Sequence, residues 1–228
     1  MPSTTFKLLF LFLLFKSSIA TATYGVQLTQ SATADQAKCL LNNRYTRIWP
    51  RVFQSNGEVD FAGLTTLQVA ERNGLQAFGG YMVPQVTNSN GAGQVDKLDA
   101  AFRKYNTYGG LFAIQVTRNS APWPSNQAAN VALINSLLQR ADQLGHIVDI
   151  NTSIADWIAI TGNIKTLYRN PNLWYINVHR DGVTGETPQS FDDFQRFGPW
   201  APGPVDAKTF GTNENVCGLN VNRIYYPY

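Results

Sequence analysis

LFAIQVTRNSAPWPSNQAANVALINSLLQRADQLGHIVDIN, residues 111–151, decides how the chain is read. Leu111 to Thr117 is a mostly apolar run of strand length, and Ile147 to Asn151 is another. Between them, Asn126 to Leu144 places Val131, Ile134, Leu137, Leu138 and Ala141 three and four residues apart, the period of a helix with one buried face, and Gly145 ends it. A strand, a helix of that length and a second strand form the unit from which parallel sheets are built, since parallel neighbours need a long crossover.

The same alternation extends outward. On the N-terminal side, Tyr24 to Leu28 reads as a strand, Ala34 to Leu41 as a short helix, and Arg47 to Phe53 as a strand interrupted by Pro50. Leu64 to Arg72 has helical spacing, Leu75 to Met82 is the third strand, and Gly93 to Tyr105 is an amphipathic helix. Gly79-Gly80 inside that third strand marks a bulge or a close backbone approach. On the C-terminal side, Leu173 to His179 is a strand, after which Gly182 to Pro204 turns rich in Gly, Pro and polar residues. The last two strands, Asp206 to Phe210 and Leu219 to Tyr225, are separated by a short polar turn and read as a hairpin. No internal repeat, long charge run or interdomain linker interrupts the series, so residues 23–228 are expected to form one α/β barrel domain.

Residues 1–22 are set apart from this fold. Lys7 opens a basic start, Leu8 to Phe15 is an apolar run of eight, and Ala20-Thr21-Ala22 has the small-x-small form of a cleavage site. The run is far below the roughly 20 apolar residues of a spanning helix. A signal peptide and a secreted, extracellular protein are expected. Its removal takes away Lys7 and Lys16 and no acids, which lowers the formal charge from +3 by two. A nearly neutral chain lacks the clustered Lys and Arg that nucleic acid or an anionic membrane demands. Cys39 and Cys217, the only cysteines, lie near opposite ends of the mature chain. Export makes a disulfide the first expectation and two buried free thiols the alternative. Such a bond closes a loop for which the chain-entropy model gives about 5 kcal/mol as an upper bound.

The motifs, taken in order, carry a resemblance. YGVQLTQ (24–30), KCLLNNRY (38–45), RVFQSNGEVD (51–60), GYMVP (80–84) with NGAGQVD (90–96), GHIVDINTS (145–153), LWYINV (173–178), FDDFQRFGPW (191–200) and VCGLNVN (216–222) together span nearly all of the mature chain. In this order they make the chain similar to the family 25 glycoside hydrolases, particularly the lysozyme-like proteins of nematodes. The resemblance implies an irregular TIM-like barrel of five strand-helix units followed by three strands. It also implies an activity, cleavage of the muramic acid linkage of peptidoglycan, and a site at the strand ends facing the barrel mouth.

Glycoside hydrolysis normally takes two carboxyl groups, one to protonate the leaving oxygen and one to act as nucleophile, base or stabiliser. The positions that the resemblance assigns to acids are vacant here. The first-strand aspartate corresponds to Gln27, the D-x-E pair of the fourth strand to Gln115 and Thr117, and the last-strand aspartate to Asn222. Period-two alternation puts Gln115 and Thr117 on one face. Amides and hydroxyls retain hydrogen bonding but not acidity or basicity. The reading is therefore a retained polar pocket without catalytic residues. Asp149 is the best candidate for a stray carboxylate inside the barrel, and Asp181 follows the sixth strand; neither has an acid at an obvious partnering position.

Arg51, Tyr81 and Trp123 lie beside matched motifs and join Gln27, Gln115, Thr117 and Asn222 as candidate substrate-binding residues, with core packing or an ion pair as their structural alternative. Trp174 reads as core. His146 and His179 are isolated and lack metal-ligand spacing, so neither a metal nor a cofactor is expected. Asn151-Thr152-Ser153 is a glycosylation sequon at a strand end. Three functions follow: a secreted monomer binding peptidoglycan or another amino-sugar polymer in innate defence or digestion without cutting it, an active muramidase with relocated acids, and a protein-interaction scaffold.

Overall fold

A computed structural model describes residues 23–107, 110–201 and 205–227; the expected signal peptide lies outside the described residues. Eight strands close into a barrel in the order of the chain. They are β1 (Thr23–Leu28), β2 (Tyr45–Phe53), β3 (Tyr81–Met82), β4 (Leu111–Gln115), β5 (Ile147–Thr152), β6 (Asn172–Ile176), β7 (Val205–Val216) and β8 (Leu219–Tyr226). Helices α1 (Ala34–Asn42), α2 (Phe61–Arg72), α3 (Gly91–Tyr105), α4 (Gln127–Gln143) and α5 (Ile154–Thr161) follow the first five strands in turn. The strands from β1 to β7 pair in parallel, and β8 runs antiparallel to both β7 and β1. This is the five-plus-three barrel that the motifs imply.

The helices form where local chemistry supports them. Thr33 caps α1 through a reciprocal box with Gln36, and the Asn90, Asn126 and Ser153 side chains cap α3, α4 and α5. The predicted face of α4 is the buried one, with Ile134, Leu137, Leu138 and Ala141 all in the core. Helix α5 has no counterpart among the elements read directly from the chain. IADWIAIT is nearly all apolar, with little polar face to reveal a period. The signals that bound it are its ends, Ser153 at the start and a left-handed Gly162 after the finish.

The largest departures from the expected strand boundaries are in β3, β6 and β7. Only Tyr81 and Met82 of the expected 75–82 segment are strand; Gln76 makes a single bridge to Arg47 and the chain then leaves the sheet. It returns at Gly80, where a Cβ would lie 2.3 Å from the Pro50 carbonyl oxygen and φ is +70°, so glycine is required by both contact and backbone. Strand β6 ends at Ile176 rather than His179. Strand β7 runs on to Val216 instead of ending at Phe210, because register shifts around Gly211 and Glu214 let it keep pairing with β8 past a local irregularity. The turn is thereby confined to Cys217-Gly218, both left-handed.

Inside the barrel, Trp49 and Trp174 meet across its axis with ring centroids 5.3 Å apart. Their indole N–H groups donate to Tyr226 Oη at 2.7 Å and to Thr209 Oγ1 at 2.8 Å. Outside, helices cover the early strands, whereas a long segment after β6 covers the late ones. Phe194 and Phe197 pack on Tyr175, and Trp200 packs on Trp157 of α5. The fully buried Lys208 of β7 donates to Asp193 at 2.6 Å and to the Pro188 and Ser190 carbonyls, while Arg223 of β8 pairs with Glu186 and Glu214. These cations need such partners, since a buried charge left unpaired would be strongly destabilising.

The two cysteines are joined. Cys39 on α1 and Cys217 at the β7–β8 turn form a disulfide with a Cα–Cα separation of 5.9 Å. It ties the first helix to the final hairpin.

Candidate functional site at the barrel mouth

The parallel strands all point their C-terminal ends toward one face of the barrel, and β8 begins there. A cavity of about 370 Å³ opens at that face. Gln27 from the end of β1, Gln115 from the end of β4, Thr117 just beyond it and Asn222 from β8 all line it. Four of the seven residues singled out from the sequence are thus brought to one place from three parts of the chain.

Their side chains form two small networks. Asn222 Nδ2 donates to Gln27 Oε1 at 2.9 Å, and Asn222 Oδ1 accepts the backbone N–H of Asn213 at 3.2 Å. Gln27 is buried, and its Nε2 has no partner among the described residues. Across the mouth, Gln115 Nε2 donates to Thr117 Oγ1 at 3.3 Å, and the Thr117 hydroxyl in turn donates to Ser120 Oγ at 2.8 Å. The contact between Gln115 and Thr117 places them on one face, as the period of two requires.

The remaining three candidates are distributed differently. Tyr81 is buried and lines a smaller neighbouring cavity of about 120 Å³, whose wall also includes Gln27 and Asn222. Burial raises its phenol far above the ordinary range, against the opposing effect of Arg51. Arg51 lines neither cavity; its guanidinium pairs with Asp60 at 2.9 Å, the structural role weighed for it from the sequence. Trp123 also lines neither and packs half-buried against the core.

Two carboxylates line the main cavity. Asp156, in the first turn of α5, is one that sequence reading did not single out. Its Oδ1 accepts from Arg118 Nε at 2.8 Å, and its Oδ2 accepts from Ser153 Oγ at 2.8 Å. The Ser153 cap three residues earlier was the available signal. Asp181 accepts from Thr212 Oγ1 at 2.8 Å. Asp149 is placed elsewhere. It lies inside the barrel but faces a cavity of about 280 Å³ at the opposite end, where the parallel strands begin. Asn172 Nδ2 donates to its Oδ1 at 3.2 Å. Burial, then the charge of Asp206, push its carboxyl up to about 7 against the hydrogen bond from Asn172 and the charge of Arg47. Sequence reading found no acidic partner for Asp149; the fold puts Asp206 on the same cavity.

Asn151 of the sequon is fully buried and donates to the Trp174 carbonyl, so it is inaccessible to glycosylation in the folded chain. His146 contacts Asp99 at 3.0 Å. It is remote in the fold from the mouth.

The family model described as Lysozyme-like protein 1 matches residues 18–210. The chain belongs to this lysozyme-like family. It is 36% identical over 213 residues to "Lysozyme-like protein 7" of Caenorhabditis elegans, covering 92% of this chain and 74% of that one. It is 30% identical over 209 residues to "Probable GH family 25 lysozyme 2" of Dictyostelium discoideum, covering 92% of this chain and 93% of that one. Among solved structures, a muramidase from Trichobolus zukalii superposes with a TM-score of 0.65 at 17% identity, covering 90% of this chain and 93% of that one. That likeness establishes the barrel fold. The family match takes in the strands that carry Gln27 and Gln115.

Proposed function

We propose that this protein is an exported lysozyme homologue that binds peptidoglycan or a related amino-sugar polymer at the barrel mouth and does not hydrolyse it. The observation that carries the reading is the meeting of Gln27, Gln115, Thr117 and Asn222 on one cavity. The resemblance assigns acids to these four positions, and none of these side chains can supply or take a proton near neutral pH. A cavity of this size, lined by side chains that both donate and accept, suits a sugar ring and its hydroxyl groups. The disulfide supports export, since such bonds persist in oxidising compartments. In this reading residues 1–22 direct secretion and the barrel is the mature domain.

A second reading, hydrolysis by relocated acids, draws on Asp156 and Asp181 because both line the same cavity. Asp156 is the weaker for chemistry, with both oxygens already accepting hydrogen bonds from Arg118 and Ser153.

The test is a reducing-end assay on bacterial peptidoglycan with the mature protein from acidic to neutral pH, run beside a pull-down on the same insoluble material. Retention without release of reducing ends is expected. Turnover that disappears in Asp156→Asn or Asp181→Asn would establish the hydrolytic reading instead, and absence of both retention and turnover would leave a scaffold role. A variant combining Gln27→Asp, Gln115→Asp, Thr117→Glu and Asn222→Asp asks whether restoring carboxylates restores cutting.

A further inference from the structure

The cavity of about 280 Å³ at the base of the barrel is walled by groups that sugar binding at the mouth leaves unused. Asp149 from β5 and Asp206 from β7 share it with Asn172 from β6 and with the rings of Trp49, Phe78 and Tyr226. Asp149 is only 6% exposed. Asn172 Nδ2 occupies its Oδ1, and among the described residues no group donates to its Oδ2, to Asn172 Oδ1 or to the Asp206 carboxyl. A buried carboxylate oxygen without a donor is costly unless one reaches it from outside the chain.

Arg47 is the cation on this wall, and its charge counts in full. Its Nε donates to Gln76 at 3.1 Å, and its guanidinium lies 4.0 Å from the centre of the Tyr226 ring. Among the described residues no ion pair within 4 Å includes Asp149 or Asp206. The pull of Arg47 on the Asp149 carboxyl is weaker than the opposing effects of burial and of Asp206. With both carboxyls ionised, two acids and one guanidinium leave one net negative charge on the wall. Tyr226 is the remaining titratable group there, and burial keeps its phenol neutral.

A primary ammonium ion matches this wall. It has three donors, no acceptor and one positive charge, against unfilled acceptors on Asp149, Asn172 and Asp206. Trp49 and Phe78 supply ring faces for a cation and its alkyl tail. A divalent metal ion is a poorer match. Such ions take six or more oxygen ligands, and among the described residues no group of three or more His, Cys, Asp or Glu side chains comes together.

We propose that the base of the barrel is a second ligand site, which holds a small primary amine by its ammonium group between Asp149 and Asp206. The site binds without making or breaking a bond, and it is independent of sugar binding at the mouth.

Calorimetric titration of the mature protein with n-pentylamine, n-pentanol and pentanoate tests this. At pH 8 the amine is expected to bind about tenfold tighter than the alcohol of equal length, and pentanoate not to bind. Asp149 must ionise to hold the ammonium, and its carboxyl is pushed up to about 7, so affinity for the amine should rise about tenfold from pH 6 to pH 8. Asp149→Asn removes that rise and lowers affinity at pH 8 about tenfold. Asp181→Asn, which removes a carboxylate from the mouth, leaves the affinity as it was. Thermal melts confirm that both variants are folded. Failure of the amine to bind, equal binding of amine and alcohol, or tighter binding of pentanoate through Arg47 would each overturn the proposal. Binding lost in Asp181→Asn and kept in Asp149→Asn would move the amine to the mouth and overturn it as well.

Discussion

The two ends of the barrel are built in opposite ways. At the mouth, where the resemblance calls for carboxylates, the interior carries the amides Gln27, Gln115 and Asn222 in short hydrogen-bonded networks. At the base, where no catalytic group is expected, it carries the buried Asp149 with Asp206 on the same cavity. Trp49 and Trp174 meet between the ends. In barrels of this kind the strands' C-terminal face bears function and the other face bears stability. The placement of Asp149 therefore teaches that a strongly perturbed carboxylate is not by itself a catalytic signal: its perturbation follows from burial at the end opposite the mouth.

The disulfide gives the largest effect by which the contrast can be broken. Cys39→Ser with Cys217→Ser is expected to lower unfolding free energy by up to about 5 kcal/mol in urea titrations. Since the bond ties the β7–β8 turn to α1, hydrogen exchange should quicken first in β8 near Asn222 and not around Asp149. Equal loosening of both ends would show that the barrel responds as one cooperative unit.

Asp149 gives the next largest. Burial raises its folded-state pKa to about 7, well above the ordinary carboxylate range, so the native state binds the proton more tightly than the unfolded chain. The associated stability is fully present below about pH 4 and is lost as pH rises through about 7, amounting to at most about 4 kcal/mol. Asp149→Asn should flatten this dependence, stabilising the protein at pH 8 and not at pH 4, while sugar binding is unchanged. A natural protein equally stable at both pH values would remove the distinction drawn for the base.

At the mouth, binding and stability are expected to fall together. Asn222→Ala removes the donor to Gln27 and the acceptor for Asn213, and retention on the polymer should fall about tenfold, equivalent to ~1.4 kcal/mol. A comparable loss of stability is expected from the two hydrogen bonds. The smallest effect belongs to the centre: Trp49→Phe deletes the bond to Tyr226, at about 1 kcal/mol of stability, with binding unchanged. Lost binding in that variant would mean that the two ends communicate through the aromatic centre.

Much of this architecture is legible in the chain. The period of α4, the alternation of strands and helices, and the change of texture after β6 are local patterns, and local patterns survive in sequence because each element must bury one face. The missed α5 shows the limit of that logic, for its exposed face carries Ala155, Ile158 and Ala159, and an apolar outer face leaves no contrast to set a period. The third strand shows another. Leu75 to Gly80 has strand composition, but its path depends on how closely Gly80 must approach Pro50, a contact between different segments.

The site divides in the same manner. The sequence by itself determined which side chains occupy the strand ends, that Gln115 and Thr117 share a face, and that these groups lack the acidity hydrolysis requires. Only the tertiary structure decided that Gln27 and Asn222 touch, that Asp156 joins them at the mouth, and that Asp149 and Asp206 face the other end. The reason is geometric. Periodicity within a strand says which side of the sheet a residue faces, whereas barrel closure and the stagger between strands say which end of the interior it reaches.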